Sequence, residues 1–264
     1  MTFIVNADDL GLSRAVTRGV LESHRRGIVR STSLLVTYPW SEEGAALALA
    51  ERELEIGIHL DLVGGRPASE PSAVRSLIDD EGRFHPLSEL TKRLFTGRVR
   101  AAEIAREVRA QVERARSWGA PALAWDSHRH VHLMPPVARV VASVARDLGA
   151  RWVRRGRAPR TTFQPKLVAL QMSSAVSELA LRGLPGNSWY LDLTAAKPRL
   201  DAAAVALLAM LPGVGELGAH PGYIDDDLRA ADSLVDDRGY DLELLTDPLL
   251  REALGRGAVA WRVR

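Results

Sequence analysis

Residues 126–132 read DSHRHVH, so three of the chain's seven histidines, His128, His130 and His132, follow Asp126 at alternating positions. Two adjacent acids, Asp8 and Asp9, lie near the N-terminus, with His59 in LEIGIHLDL and His220 in GELGAHPGY. Imidazole nitrogens and carboxylate oxygens together can hold a divalent cation while leaving positions open for water and substrate. The same groups take and give protons near neutral pH. Each fragment alone has an ordinary reading. An Asp-Asp pair makes a turn or a helix cap, a strand histidine is a satisfied core residue, His-Pro-Gly turns the chain, and the triplet is a surface cluster. Only a fold that gathers the fragments favours chemistry over those readings.

The elements supply such a fold. Thr2–Ala7 reads as an apolar strand ending in the two acids, and Ser13 caps a helix over Arg14–Arg26 that Gly27 stops. Ser31–Thr37 is β-rich, Ser41 caps an alanine-rich helix to Arg52, and Leu54–Leu62 is a third strand. Residues 64–100 break the rhythm with Gly, Pro and charge and read as an insertion carrying a short helix. Beyond it the pattern predicts a helix over Ala101–Trp118, a strand over Ala122–His128, a helix from Pro135 to Leu148 and a strand over Arg151–Arg155. In the poorly patterned stretch that follows, a helix is expected over Lys166–Leu181. Then come a helix over Asp201–Leu211, a strand over Val214–His220 and a last strand over Ala258–Val263. About seven strands alternate with helices and no dinucleotide fingerprint occurs. The expected fold is α/β, an irregular (β/α) TIM-barrel-like barrel of parallel strands rather than a doubly wound open sheet. One domain over residues 1–264 is expected, with insertions near 63–100 and 156–200.

In such a barrel the C-terminal strand ends converge on one mouth. Asp8-Asp9, His59, Asp126 with His128, and His220 all fall at predicted strand ends. Side-chain alternation puts Ile56, Ile58, Leu60 and Leu62 on one face and Gly57, His59 and Asp61 on the other. The aliphatic face packs under the helices, so His59 points inward. The same parity joins Asp126 to His128. His24 and His85 read as surface residues, and Trp40, Trp189, Tyr190 and Tyr223 as candidates for an aromatic rim at the mouth.

Composition narrows the classes. Hydrophobic residues make up 46% and charged residues 26%, a soluble balance, and the formal charge is only +2. No basic run interleaved with aromatics marks a nucleic-acid surface. The absence of cysteine excludes thiol catalysis, disulfides and cysteine-ligated zinc. The first ten residues lack a basic n-region, and no apolar run reaches the roughly 20 residues of a membrane-spanning helix. A cytoplasmic, soluble protein is expected.

In order and spacing, the fragments NADDLGLS, GIHLDL, DSHRHVHLMP and AHPGY resemble the YdjC-like family of carbohydrate deacetylases, which includes chitooligosaccharide deacetylases and hopanoid-associated relatives. The resemblance runs from the first strand to residue 223 and carries no family signature in 64–120 or 156–210. Leu10 departs from the phenylalanine common after the two acids, a change expected to affect packing only. The resemblance implies removal of an acetyl group from an N-acetylated sugar with one divalent metal ion, Mg²⁺ or Zn²⁺. It implies Asp9, His59 and His128 as metal ligands, Asp8 as general base and His220 as the histidine opposite it. His130 and His132 would line the mouth or orient the ligands, and Asp126 would hold an imidazole in its tautomer. Arg154, if it faces inward, would pair with Asp8 and keep it ionised. The implied partner is a small N-acetylated sugar, with no nucleic acid and no membrane span, and a homo-oligomer is left open. Two other readings stay open, a metal-dependent hydrolase of another amide or ester and a non-catalytic sugar-binding barrel. A glycosidase fits less well, since it would use two carboxylates about 5–10 Å apart and no metal.

Overall fold

A computed structural model describes residues 2–159, 176–254, 258–259 and 261. Seven strands lie side by side in one curled parallel sheet. In chain order they are β1 (Thr2–Leu10), β2 (Ser31–Leu34), β3 (Glu55–Leu60), β4 (Ala124–Ser127), β5 (Trp152–Val153), β6 (Trp189–Asp192) and β7 (Val214–Ala219). Their spatial order is β5-β4-β3-β2-β1-β7-β6. A short β8 (Ala258–Val259) pairs with the lower part of β1, below the point where β2 joins it. Around the sheet lie α1 (Arg14–Arg25), α2 (Ser41–Leu49), α3 (Leu87–Phe95), α4 (Ala101–Ser117), α5 (Pro135–Asp147), α6 (Ala202–Leu208), α7 (Asp226–Ala231), α8 (Asp237–Leu245) and α9 (Pro248–Leu254). The architecture is the expected TIM-barrel-like one. Among the described residues no helix is long and apolar enough to cross a membrane.

Sequence and local structure agree where the signals are strong. Ser13 caps α1, its hydroxyl accepting from the Val16 amide at 3.1 Å. At α2 the expected cap shifts by one residue. Ser41 is the first helical residue, and its Oγ accepts instead from the Tyr38 amide. Ile58 and Leu60 are fully buried on the outer face of β3, as the alternation requires. On the inner face, Gly57 faces the ring of Trp261, which packs with Ile4, Ala124 and Trp152 to floor the barrel.

The two outer strands are tied by irregular bonds instead of a ladder. Val153 donates to the Pro185 carbonyl at 2.9 Å and Tyr190 to that of Arg157 at 2.6 Å. Between them the Asn187 amide accepts from the Arg155 N–H and donates to the Arg155 carbonyl. The insertion after β3 is pinned to α4 by buried acids. Glu107 accepts the amides of Ala68 and Ser69, and Glu103 that of Ser76, so backbone that lacks a sheet partner is satisfied.

The reading of the sequence changes in three more places. The strand ending at His128 stops at Ser127, and 128–133 form a tight helical turn in which Arg129 and His130 are left-handed. The expected alternation of the three histidines therefore ends at the first of them. β6 and the helices α7, α8 and α9 were not anticipated. His24 and His85 are buried, His24 with Nδ1 2.9 Å from the Val29 carbonyl. Most of the helix expected over 166–181 lies outside the described residues.

Candidate active site

The strand ends open into a cavity of about 410 Å³, lined by Asp8, Asp9, His59, His128, His130 and His220, with Asp192, Thr194 and Lys197 on one side. The insertion contributes Leu87, and the loop before α8 contributes Asp232 and Leu234.

Adjacent residues of a regular strand face opposite ways, so Asp8 and Asp9 should not share a cavity. They do because the strand breaks there. Asp9 has φ of 67°, and the register with β2 slips between Ala7 and Leu10. This bulge turns the second carboxylate back toward the first. A left-handed aspartate is strained backbone, tolerated where several bonds over-determine it. Asp9 Oδ1 lies 2.9 Å from His128 Nδ1 and 3.3 Å from His59 Nε2, and Oδ2 accepts from Arg238 Nη2 at 2.7 Å.

His59 and Asp126 are direct neighbours across the β3–β4 ladder, which brings His59 Nδ1 to 2.7 Å from Asp126 Oδ1. Ser33 Oγ lies 3.0 Å from the same nitrogen. The ring is thereby oriented with Nε2 toward Asp9. Burial alone would lower the basicity of His59, but Asp126, Asp9 and Asp8 outweigh it and push the imidazole up to about 10.

Asp8 faces a different partner. Arg154 is fully buried and grips it bidentately, Nη1 to Oδ2 at 2.7 Å and Nη2 to Oδ1 at 2.8 Å. The same guanidinium reaches Asp126 Oδ2 at 2.7 Å and Glu216 Oε1 at 2.8 Å. Burial would raise the Asp8 carboxyl, but Arg154, with help from His59 and His220, holds it well below the usual carboxylate range. The Asp9 carboxyl is likewise held low against its burial, by Arg238 and His128. His220 stands across from Asp8, with Nε2 3.9 Å from Asp8 Oδ2.

Two groups of donors could be considered for a cation. Asp8, His59 and Asp126 converge, but Arg154 already supplies their positive charge. Asp9, His59 and His128 each offer one atom, all within 4.8 Å of one another. Bonds of about 2.1 Å to a common ion place ligand atoms roughly 3 Å apart, which matches the two contacts at Asp9. The two nitrogens and one oxygen suit a divalent ion, with Asp126 as the outer partner that metal-bound imidazoles commonly have.

The other expected residues divide. His130 lines the cavity, its ring edge-on to Tyr190 with centroids 5.3 Å apart and its Nε2 3.7 Å from Asp192. His132 lies behind the wall, bonded to Ser127 Oγ and, 3.1 Å from Nε2, to the Arg154 carbonyl. Tyr223 does not line the cavity. Its hydroxyl donates to Glu22 and its ring is stacked by Arg18. Trp189 is buried against Phe3, and Trp40 lines a separate depression with Tyr38 and Arg66, so neither is a rim residue of this cavity. Sequence reasoning missed Arg238, Asp192, Thr194 and Asp241. The strand-end rule would have found Asp192 had β6 been recognised.

The chain matches the family model described as YdjC-like protein over residues 2–256. A protein named carbohydrate deacetylase from Brevibacillus brevis is 33% identical over 258 residues, covering 96% of this chain and 94% of its own. One of the same name from Geobacillus stearothermophilus is 32% identical over 260 residues, covering 96% and 93%. Among solved structures, a candidate cellobiose-phosphate cleavage protein from Enterococcus faecalis V583 superposes with a TM-score of 0.82 at 26% identity, covering 99% of this chain and 97% of that one.

Proposed function

The chain belongs to the YdjC-like family, and from that membership we propose that it is a metal-dependent carbohydrate N-deacetylase, hydrolysing the acetamide of an N-acetylated sugar and releasing acetate. The printed names of its relatives support the reaction class. One observation carries the reading. The bulge at Asp9 brings two adjacent carboxylates into one cavity in different states of engagement, one facing two imidazoles and the other locked to an arginine opposite a third imidazole.

Amide hydrolysis needs an activated water, a stabilised oxyanion and a protonated leaving nitrogen. Asp9, His59 and His128 would hold the divalent ion. That ion would acidify a water and polarise the acetyl carbonyl. Arg154 keeps Asp8 ionised and fixes its two oxygens beside the cavity, where they can accept a proton from the attacking water, while the same arginine lowers the basicity of that carboxylate. His220, on the opposite wall, delivers a proton from Nε2 to the departing amine. Arg238 neutralises the second oxygen of Asp9 and leaves the first to face the imidazoles.

The test is acetate release from N-acetylglucosamine and its oligomers by protein loaded with Mg²⁺ or Zn²⁺. Metal-dependent acetate production supports the proposal. Phosphate release from model esters with no acetate from any N-acetyl sugar would overturn it in favour of another hydrolase, and metal uptake without any turnover would favour a binding barrel.

A further inference from the structure

We infer that Thr194 and Asp241 are positioning residues that hold His220 in a single tautomer, with the proton on Nδ1 and Nε2 turned to the cavity. The inference rests on the proposed deacetylase reading for its consequence, but not for its geometry.

Thr194 follows β6, Asp241 lies on α8 and His220 follows β7, so three elements meet at one ring. The Thr194 hydroxyl donates to Asp241 Oδ2 at 2.8 Å and lies 3.0 Å from His220 Nδ1. The backbone N–H of His220 donates to the same Asp241 oxygen at 2.8 Å. A hydroxyl has one proton. Asp241 Oδ2 already accepts the His220 N–H and is therefore the acceptor oxygen of that carboxyl, so the threonine proton goes to it, and the remaining lone pairs of the hydroxyl can only accept. Nδ1 must therefore carry a hydrogen. This holds whether the ring is neutral or charged, because the imidazolium also bears hydrogen at Nδ1. Every change in protonation is confined to Nε2.

The other charged groups facing the ring do not disturb this. Asp192 Oδ1 lies 3.9 Å from Nδ1, beyond hydrogen-bond reach, and accepts instead from the Ala195 amide at 3.0 Å. Asp8 Oδ2 lies 3.9 Å from Nε2 and is committed to Arg154. Asp241 is fully buried, and burial pushes its carboxyl up against the opposing pull of His220 and of the bonds from the His220 N–H and Thr194. It therefore acts on the ring through one intervening hydroxyl in a medium of low dielectric. A carboxylate bonded directly to a catalytic imidazole fixes tautomer and orientation in the same way. Here the threonine is interposed. A ring with its hydrogen on Nε2 could not accept a proton from the cavity side, and a freely flipping ring would be competent only part of the time.

The decisive readout is ¹⁵N NMR of histidine-labelled protein without metal or substrate, with the His220 signals identified from their absence in His220→Ala. Neutral wild-type His220 should show Nδ1 as the hydrogen-bearing nitrogen. Thr194→Val keeps the shape of the side chain, removes the hydroxyl and should shift the proton toward Nε2, while Thr194→Ser restores the original pattern. In parallel, the valine variant should lose about 10- to 100-fold in kcat at unchanged KM, less than outright removal of a general acid, and serine should recover most of it. A hydrogen on Nε2 in the wild type, or an unchanged tautomer in Thr194→Val, would overturn the inference. If the tautomer shifts as expected and no N-acetyl sugar yields acetate, the relay stands and the deacetylase reading falls. If acetate is released and valine alters neither tautomer nor kcat, the relay falls alone.

Discussion

Asp8 and Asp9 are joined by one peptide bond yet held by different arginines, Arg154 and Arg238, each fully buried. The bulge makes room for both carboxylates, and the arginines keep both ionised in a buried cavity. Each acid is left one task. Asp9 has Oδ1 free for the imidazole pair, whereas Asp8 has both oxygens fixed beside the space that a substrate would enter.

That division predicts different losses for the two acids. Asp8→Asn should retain metal, since Asp8 is outside the donor triplet, and lose about 10²- to 10⁴-fold in turnover, because an amide oxygen cannot take up a water's proton. Elemental analysis and initial rates on one preparation check both halves. Near-normal turnover would move the base role to another group.

The donor triplet is tested most cleanly at its histidines. His59→Ala and His128→Ala should each lose bound metal, read by elemental analysis after dialysis, with a far-ultraviolet circular dichroism spectrum like the wild type. Asp9→Ala should also lose metal, but with a cost in stability, because Arg238 is then left with Asp232 as its carboxylate partner at 3.1 Å. Full metal occupancy in any of the three would remove that residue from the ligand set.

Arg154 should matter to stability as well as to catalysis. It joins Asp8, Asp126 and Glu216, and without it three buried carboxylates face one another with His59 as their nearest cation. Breaking a buried ion pair by removing one partner costs about 3–5 kcal/mol. Arg154→Met should therefore lower the unfolding free energy by at least that much in urea titration. A loss under about 1 kcal/mol would mean that the carboxylates are relieved by protonation or water.

Much of this arrangement was legible in the sequence. His59 and Asp126 could be placed inward by period-two alternation, because β3 and β4 are regular and covered by helices on their outer face. The triplet at 128–132 misled because alternation was carried past the strand end, into a turn where left-handed residues undo it. The bulge at Asp9 has no sequence signature, since aspartate is common both at the ends of extended strands and in the left-handed region, and its identity does not tell which one it adopts. β6 is four residues long with tryptophan and tyrosine adjacent, too short for alternation to register. Arg238 sits in DDRGYD, where charge reads as a solvated face, and only the packing of α8 against the barrel mouth shows that it is buried.

The barrel floor yields a prediction independent of function. A methyl group on Gly57 would lie 2.6 Å from the Ala124 carbonyl oxygen and 2.7 Å from the Trp261 ring. The carbonyl belongs to a neighbouring strand and cannot retreat without distorting the ladder. Gly57→Ala should thus destabilise the fold by about 1–3 kcal/mol or more, the usual cost of overpacking. Pairing it with Trp261→Ala, which frees one side of the clash, should give a double-mutant cycle with favourable coupling. Strict additivity would mean that the tryptophan is not what opposes the methyl.

His132 gives the protein a pH dependence of known sign. Its Nε2–H donates to the Arg154 carbonyl, leaving Nδ1 to accept from the Ser127 hydroxyl, so the buried ring is neutral. Burial, with the nearby charges of His130 and Arg154, holds its pKa well below 6.5. In the unfolded chain the same imidazole titrates normally, near 6.5. Above that pH neither state binds the proton and His132 contributes no slope. As pH falls below it, the unfolded state takes up a proton that the folded state refuses, so stability is lost by up to about 1.4 kcal/mol per pH unit. His132→Gln keeps a terminal N–H within reach of the carbonyl but cannot titrate. Urea titrations of wild type and variant between about pH 5 and 8 should show curves that run parallel above pH 6.5, while below it the wild type falls more steeply, by up to one proton of slope that the variant lacks. Parallel curves below pH 6.5 would mean that His132 takes up its proton as readily in the folded protein as in the unfolded chain, and its neutral placement between Ser127 and Arg154 would be wrong.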